Sequence, residues 1–451
     1  MEKIFKLKKN KTTVGTEMLA GLITFMTMAY ILAVNPSILG AAGMDKTAVM
    51  LATCIASFIG CLCMGLMANL PFALSAGMGI NAFMANTVCL GMGYTWQVAL
   101  FAVFIEGIIF IILSLTNVRE AIFNSIPLSL KYAVSVGIGI YIALIGMENA
   151  GLVGNGNTLL EMVDFDASFK TRGICALLAI IGFLIIAILH VRKIHGAIFI
   201  GILATWILGI ICQLTGIYEP DNQQYFSLLP EISFTDFSAL GKTAGKCFDL
   251  DFSNVKIMDY ILVVFAFLFV DIFDTIGTLI GVSAKAEMLD KDGKLEKIKP
   301  ALLADAVATT AGAVLGTSTT TTFIESASGV AAGGRTGLTA ITTGVLFLVS
   351  MLLAPVFVSI PSFATASALI FVGFMMFTTI TKIKLDDDNL TEAIPAYICI
   401  ITMPLFYSIS NGISMGVISY VLINVFCGKA KKINPILYAL SVLFILKYIF
   451  L

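Results

Sequence analysis

Apolar stretches recur from one end of this 451-residue chain to the other, almost free of charge. Each runs for about 17 to 25 residues, enough for a helix to cross a hydrocarbon core of roughly 30 Å. A chain that repeats this feature throughout is read as an all-α polytopic integral membrane protein. Its composition agrees, since 59% of residues are hydrophobic and only 12% charged, which fits no soluble globular class. A net charge of −1 with two histidines argues against a nucleic-acid surface, and neither a Gly-rich phosphate loop nor an HExxH stretch occurs. The nine cysteines lie mostly inside apolar segments, with Cys61 and Cys63 one residue apart and no CxxC, so they read as small hydrophobes. The first apolar segment is too long for a signal peptide and lacks a small-residue cleavage site, so the N-terminus reads as retained.

The pattern places spans at 17–40, 47–69, 71–89, 94–115, 128–149, 173–190, 195–215, 257–282, 300–316, 318–334, 337–358, 362–380, 392–408 and 411–427, fourteen in all. With the N-terminus cytoplasmic, 20 of the 27 Lys and Arg fall inside, as basic residues of short loops should. The tail 433–451 reads either as one more span or as an interfacial helix, with the latter preferred because fourteen spans already close the charge pattern. The long loop 216–256 divides the spans into seven and seven. An odd number per half inverts the second half, and inverted repeats are a transporter architecture.

The third segment of each half is the least hydrophobic of its half: PFALSAGMGINAFMANTV (71–88) and TSTTTTFIESASGVAAGGRTG (317–337). Such density of Ser, Thr, Gly, Asn and Pro makes a poor lipid-facing helix. Irregular backbone at membrane depth survives only inside protein or against a water-filled cavity. Both are therefore expected in the interior as half-extended, half-helical elements facing each other near the midplane. Packing faces of small residues would look similar, but the matched positions in the two halves favour the first reading.

The stretch FVDIFDTIGTLIG (269–281) places Asp271 and Asp274 in an otherwise apolar span. An aspartate there costs about 2.5 to 3.5 kcal/mol on insertion scales, so two of them need a reason. Three residues apart, they share nearly one helical face. Glu325 occupies the middle of the polar tenth segment. These three acids have no basic neighbour in sequence, and an uncompensated carboxylate in low dielectric is suited to binding a proton reversibly. Ionised, a carboxylate accepts from the N–H groups of a flat heterocycle; protonated, it donates to a ring nitrogen or carbonyl. The first half contributes mainly Asn81, Asn35, Tyr30 and several threonines. Glu106 reads as either structural or functional, and Glu148, near an outer boundary, as solvated. The turn around His190 and His195 and the run Asp386 to Asp388 read as solvated connections.

At this point the chain resembles the nucleobase/ascorbate transporter superfamily, and within it the AzgA-like adenine, guanine and hypoxanthine permeases. The resemblance is carried by GTEMLAGLITFMTMAYILAVNP, PFALSAGMGINAFMA, FLFVDIFDTIGTLIGVSAKA, LLADAVATTAGAVLGTSTTTTFIESASGVAAGGRTGLTA and IPAYICIITMPLFYSISNGISMG, which span nearly the whole chain. It implies two inverted seven-span repeats, with short strands in the third and tenth spans meeting at the substrate. It further implies a core domain of residues 1–115 and 257–358 and a gate domain of 116–256 and 359–451. Residue by residue, the family's eighth-span acid falls on Asp274, followed by Thr275, with Asp271 one turn earlier. Its tenth-span acid falls on Glu325 beside Ser326, with Thr322, Phe323 and Ser328 as neighbours, and its third-span polar residue falls on Asn81, with Gly79 allowing close approach. The wider superfamily usually has Glu where Asp274 stands, and a shorter tenth-span motif than ESASG.

These readings converge on a purine nucleobase importer of the plasma membrane that works by proton symport. Asp274 and Glu325 would bind the ring edge, and Asp271, Asp274 or Glu325 would carry the proton. The partners implied are the purine, the proton, the bilayer and, from the family, a homodimer. No cofactor, metal or enzymatic activity is expected. The rival reading is an anion carrier of similar inverted-repeat fold, disfavoured because three acids would repel a dianion. An intramembrane aspartyl protease would want its aspartates on different helices, whereas Asp271 and Asp274 share one, and no GxGD stretch occurs.

Overall fold

A computed structural model of the chain describes residues 2–116, 126–155, 160–162, 169–220, 227–230, 233–253, 255–285, 288, 295, 297–386 and 389–450. Arg119, Asp164, Asp166, Asp221, Glu231, Lys291, Lys294, Asp387 and Asp388, all assigned to loops from the sequence, lie outside them.

The chain is overwhelmingly helical. In order come α1 (Glu2–Phe5), α2 (Val14–Met28), α3 (Ile31–Ala41), α4 (Lys46–Cys63), β1 (Leu74–Ala76), α5 (Met78–Ala82), α6 (Trp96–Leu115), α7 (Leu128–Asn149) and a small hairpin of β2 (Val153–Asn155) and β3 (Leu160–Met162). Then follow α8 (Ile174–Val191), α9 (Ala197–Leu214), α10 (Ile257–Lys285), α11 (Ile298–Leu315), β4 (Thr320–Thr322), α12 (Ser326–Ala331), α13 (Gly337–Ser350), α14 (Ala354–Val358), α15 (Ser362–Phe377), α16 (Leu390–Leu405), α17 (Ile409–Phe426) and α18 (Pro435–Phe450). Among the described residues, nine helical stretches are long and apolar enough to cross a bilayer, from Val14–Ala41 to Ser362–Lys382. Helix α10, with 29 residues, has the length but also carries Asp271 and Asp274. The apolar helical stretches Leu390–Leu405, Asn411–Phe426 and Pro435–Leu446 are shorter than these nine.

Local chemistry sets the boundaries. Thr13 opens α2 by accepting from the Thr16 N–H at 3.2 Å, Asp45 opens α4 by accepting from Ala48 at 3.0 Å, and Ser408 opens α17 by accepting from Asn411 at 3.3 Å, each satisfying an orphan donor of a first turn. Helix α4 continues in wide π turns (Met64–Ala68) until Asn69 adopts a left-handed φ of 50°. Helix α5 likewise continues as a π-helix through Phe83–Gly91.

Packing separates the helices into two groups. In one, α2 lies against α13, α4 against α11 and α13, and α6 against α10 and α11. In the other, α7 lies against α15 and α16, α8 against α9 and α15, and α16 against α17. The α7–α15 contact depends on glycine, since a Cβ on Gly373 would stand 2.4 Å from the Gly139 carbonyl oxygen. Close backbone approach through small residues is how helices associate where apolar surface alone gives no preference for protein over lipid. Helix α18 packs beside α17, with Ser414 Oγ and the Tyr448 hydroxyl 2.6 Å apart, and its Phe444 ring meets Phe269 of α10 edge-on at 5.9 Å. All nine cysteines are free thiols.

Candidate functional site

The polar third and tenth segments meet, as the sequence predicts. Strands β1 and β4 pair antiparallel, with Leu74 opposite Thr322, Ser75 opposite Thr321 and Ala76 opposite Thr320. The ladder runs past both ends: Phe323 N–H donates to Ala73 O at 3.0 Å and Gly77 N–H to Thr319 O at 2.9 Å. Two three-residue strands would not hold together alone. Both are fully buried, and neighbouring helices satisfy their edges. Ser57 and Ser75 hydroxyls lie 2.8 Å apart, Thr309 donates to Thr320 O at 3.1 Å, and Leu74 N–H donates to Cys61 Sγ at 3.3 Å. Cys61 is thus a buried hydrophobe, as predicted, and also an acceptor for the strand.

Each strand turns into a short helix, and the N-terminal ends of α5 and α12 both lie beside the strand pair. Half-helix N-termini carry unsatisfied N–H groups and a positive end of the backbone dipole. Around them sit the predicted acids. A Cβ added to Gly77, the residue preceding α5, would lie 2.7 Å from Thr321 Cγ2 and 3.6 Å from Asp274 Oδ2. Only glycine lets Thr321 come this close, and the Asp274 carboxylate stands next to the same position. Glu325 is the N-cap of α12 and accepts a hydrogen bond of 2.8 Å from the Tyr30 hydroxyl. Tyr30 stands at the break between α2 and α3. Asp274 lies within the electrostatic reach of Asp271 and Glu325, and Tyr30 within that of Glu325 and Asp274. Asp274 is half-buried, whereas Asp271 is completely buried.

Asp271 belongs to a second layer behind the strands. Thr275 Oγ1 lies 2.9 Å from Asp271 Oδ1, 3.0 Å from Asp305 Oδ2 and 2.8 Å from Thr321 Oγ1, linking α10, α11 and β4. Asn81, also buried, donates to Asn35 Oδ1, and Asn35 in turn donates to Thr53 Oγ1 at 2.7 Å and Thr317 Oγ1 at 3.0 Å. Ser326 Oγ accepts from the Ala73 N–H at 2.9 Å, fastening α12 to β1. Phe323 is buried at the end of β4. Gly79 faces α7, where a Cβ would meet Ile138 Cγ2 at 2.8 Å.

The sequence reading missed some residues and misread one. Asp305, in KPALLADAVATTAG, is a third buried acid of the second half beside Asp271 and Glu325, and was passed over although the rule that singles out Asp271 applies to it equally. Glu17 is another buried acid, at the start of the first span. Glu106 accepts from Thr319 Oγ1 at 3.0 Å, which places it against the approach to β4. Glu148 is not simply solvated: it is half-buried and accepts from the Tyr407 hydroxyl, because the left-handed φ of 51° at Tyr407 turns that ring back across α7. His190 and His195 are exposed, as expected of a solvated turn.

The profile of the Permease family (Xan_ur_permease) matches residues 15–415. The chain belongs to this family of nucleobase/ascorbate transporters. Adenine permease AdeQ of Escherichia coli is 40% identical over 453 residues, covering 100% of this chain and 96% of that one. Guanine/hypoxanthine permease PbuG of Bacillus subtilis is 41% identical over 461 residues and 100% of both chains. A putative permease of Methanocaldococcus jannaschii is 46% identical over 451 residues, 100% of this chain and 98% of that one. Among solved structures, the transmembrane domain of the cyanobacterial bicarbonate transporter BicA superposes with a TM-score of 0.65 at 16% identity, covering 89% of this chain and 97% of that one. SLC26A9 does so with a TM-score of 0.64 at 14% identity, covering 91% of this chain and 65% of the longer one. At such identities these two establish a shared fold. The family and its permease relatives make this chain a transporter and not an enzyme, and the residues above lie around its buried strand pair.

Proposed function

We propose that this permease imports adenine, guanine or hypoxanthine across the plasma membrane by proton symport, with its N-terminus cytoplasmic. The observation that carries the reading is the convergence of Asp274, Glu325 and Tyr30 on the N-terminal ends of α5 and α12. Carboxylates there accept from ring N–H and amino groups, while the backbone donors of the half-helices serve ring nitrogens and carbonyls. The permease relatives named for adenine and guanine/hypoxanthine support this guest over an anion. The bicarbonate neighbour shares the fold, but two acids at the site are poor company for a second negative charge.

A hydrogen count supports the coupling. Thr275 has one hydroxyl hydrogen, yet carboxylate oxygens of both Asp271 and Asp305 lie within bonding distance of it. One accepts that hydrogen; the other contact is a hydrogen bond only if its carboxyl brings a proton. With both bonds made, the group holds at least one proton directly behind the half-buried Asp274. Asn81 and Ser326 complete the site by holding strands and half-helices in place.

The packing supports two inverted seven-span repeats. Pairing α2 with α13 mirrors α10 with α6, α4 with α13 mirrors α11 with α6, and α7 with α16 mirrors α15 with α8. The first group of helices is the core domain and the second the gate, and movement between them alternates access. The test is uptake of radiolabelled adenine, guanine, hypoxanthine, xanthine and uracil into cells lacking their own permeases, with and without a protonophore. Purine accumulation abolished by the protonophore and by Glu325→Ala, at normal membrane levels, supports the reading. Accumulation of no base, or an unimpaired mutant, sinks it.

A further inference from the structure

Glu17, at the start of the first span, has no part in the site described above, yet it is completely buried. Burying a carboxylate is expensive unless hydrogen bonds replace its water. Among the described residues, the partners of its carboxylate come from the other half of the chain. Glu17 Oε1 accepts from the Arg335 N–H at 2.9 Å, and Oε2 accepts from the Thr336 N–H at 3.2 Å and the Thr339 hydroxyl at 2.6 Å. These are donors at and just before the N-terminus of α13, where a negative charge is also favoured by the helix dipole. The same turn grips α12 from behind, for Arg335 Nη1 donates to Val330 O at 2.7 Å and to Gly334 O at 2.8 Å.

The segment held this way is the one that carries Glu325. It runs antiparallel to α2 in continuous contact: Glu17 meets Arg335, and Tyr30 meets Glu325. Between them, a Cβ on Gly329 would stand 2.0 Å from Thr24 Oγ1 and 2.7 Å from Ala20 O. Helix α12 has only six residues, too few to hold its own position by internal hydrogen bonds. Beside the Ser326 bond to Ala73 at its start, it is anchored at both ends of the segment by Tyr30 and Glu17, which belong to the single span Val14–Ala41.

We propose that Glu17 is a positioning residue for substrate binding: it fixes the cytoplasmic end of the Glu325–Thr336 segment on α2, and so sets the carboxylate of Glu325 in register with Tyr30 and Asp274. The proposal rests on the functional reading above. Substrate affinity then depends on a residue remote from the substrate, while the maximal rate does not.

The experiment measures purine uptake kinetics at matched membrane levels for wild type, Glu17→Ala and Glu17→Gln. It is paired with hydrogen–deuterium exchange of the purified full-length proteins in lipid nanodiscs without substrate. Glu17→Ala is expected to raise KM about tenfold with a maximal rate within about twofold of wild type, the pattern of lost uniform binding. Glu17→Gln, which keeps one acceptor oxygen, should fall between. Amides of residues 325–339 should exchange faster in Glu17→Ala, with those of α7 and α15 unchanged. If Glu17→Ala fails to reach the membrane, Glu17→Gln carries the test alone. An unchanged KM, or unchanged exchange over 325–339, overturns the proposal. A wild type that takes up no purine overturns the functional reading instead, and the exchange data separate the two failures.

Discussion

The two strands at the centre of this permease are built from opposite materials. Strand β1 is Leu-Ser-Ala and runs into Gly77 and Gly79; β4 is Thr-Thr-Thr and runs into Phe323 and Glu325. Both are buried and each satisfies the other's backbone. The first segment contributes mainly the absence of bulk: Gly77 admits Thr321 and Asp274, and Gly79 admits Ile138 of α7. The second contributes side chains: Thr321 reaches the Thr275 network, Thr319 reaches Glu106, and Glu325 reaches Tyr30. A paired-strand site thus divides its work between a scaffold that makes room and a partner that fills it. Changes on the β4 side should alter chemistry, and changes on the β1 side should alter fit.

The largest effect is expected on the β4 side. Glu325→Gln replaces an acceptor-only carboxylate with an amide that presents one acceptor and a donor, beside a Tyr30 hydroxyl that donates at 2.8 Å. Losing charge-assisted bonds to both Tyr30 and the guest should cost roughly 3 kcal/mol or more, a fall in uptake efficiency of about a hundredfold. Uptake at matched surface expression decides it. Retention of more than a third of wild-type efficiency would remove Glu325 from the site and break the asymmetry.

Next is Thr275, which joins β4 to the acids of α10 and α11. Thr275→Val keeps the shape and deletes the hydroxyl contacting Asp271, Asp305 and Thr321, at about 1 to 3 kcal/mol for each buried group left unsatisfied. Uptake should fall between about tenfold and a hundredfold, and what remains should respond less to the imposed proton gradient, whereas Thr275→Ser should behave nearly as wild type. Equal responses of the Val and wild-type proteins to the gradient would show that the proton is carried elsewhere.

On the β1 side, Gly77→Ala tests fit alone. Its Cβ would meet Thr321 Cγ2 at 2.7 Å, closer than such atoms tolerate, so the strands must part slightly. Overpacking of this kind costs about 1 to 3 kcal/mol, and the expectation is a several-fold rise in KM with proton coupling intact. A mutant with lost coupling and normal KM would reverse the assignment of roles.

Much of this arrangement was legible in the sequence because bilayer chemistry leaves few alternatives. The run of Thr and Ser before Glu325, and the small residues between Pro71 and Asn81, had to lie inside protein, and their matched positions foretold that they would meet. Asp271 and Asp274 announced themselves by cost. The partners did not. That Thr275 links Asp271 to Asp305, or that Tyr30 reaches Glu325 across 295 positions of sequence, depends on how helices rotate against each other, which local pattern does not encode. Glu148 was misread because its partner Tyr407 is turned toward it by a left-handed backbone that nothing in YSISNG demands. The registry of β1 with β4 likewise follows from their flanking helices, since three-residue strands specify little alone.

The smallest effect sharpens the comparison at its seam. Ser326 follows Glu325 directly and is expected from the sequence to belong to the substrate site, yet its Oγ accepts the Ala73 N–H at 2.9 Å, which ties it to the strand junction. Ser326→Ala should leave that buried N–H without its acceptor, a loss of about 1 to 3 kcal/mol of stability. The thermal midpoint of the purified protein should drop slightly while KM for the preferred purine stays within about twofold. A serine that bound substrate would give the converse, an unchanged midpoint with a clearly raised KM. In that case the chemistry of the second segment extends one residue further along α12, and the Ala73 N–H must find another acceptor as the guest arrives.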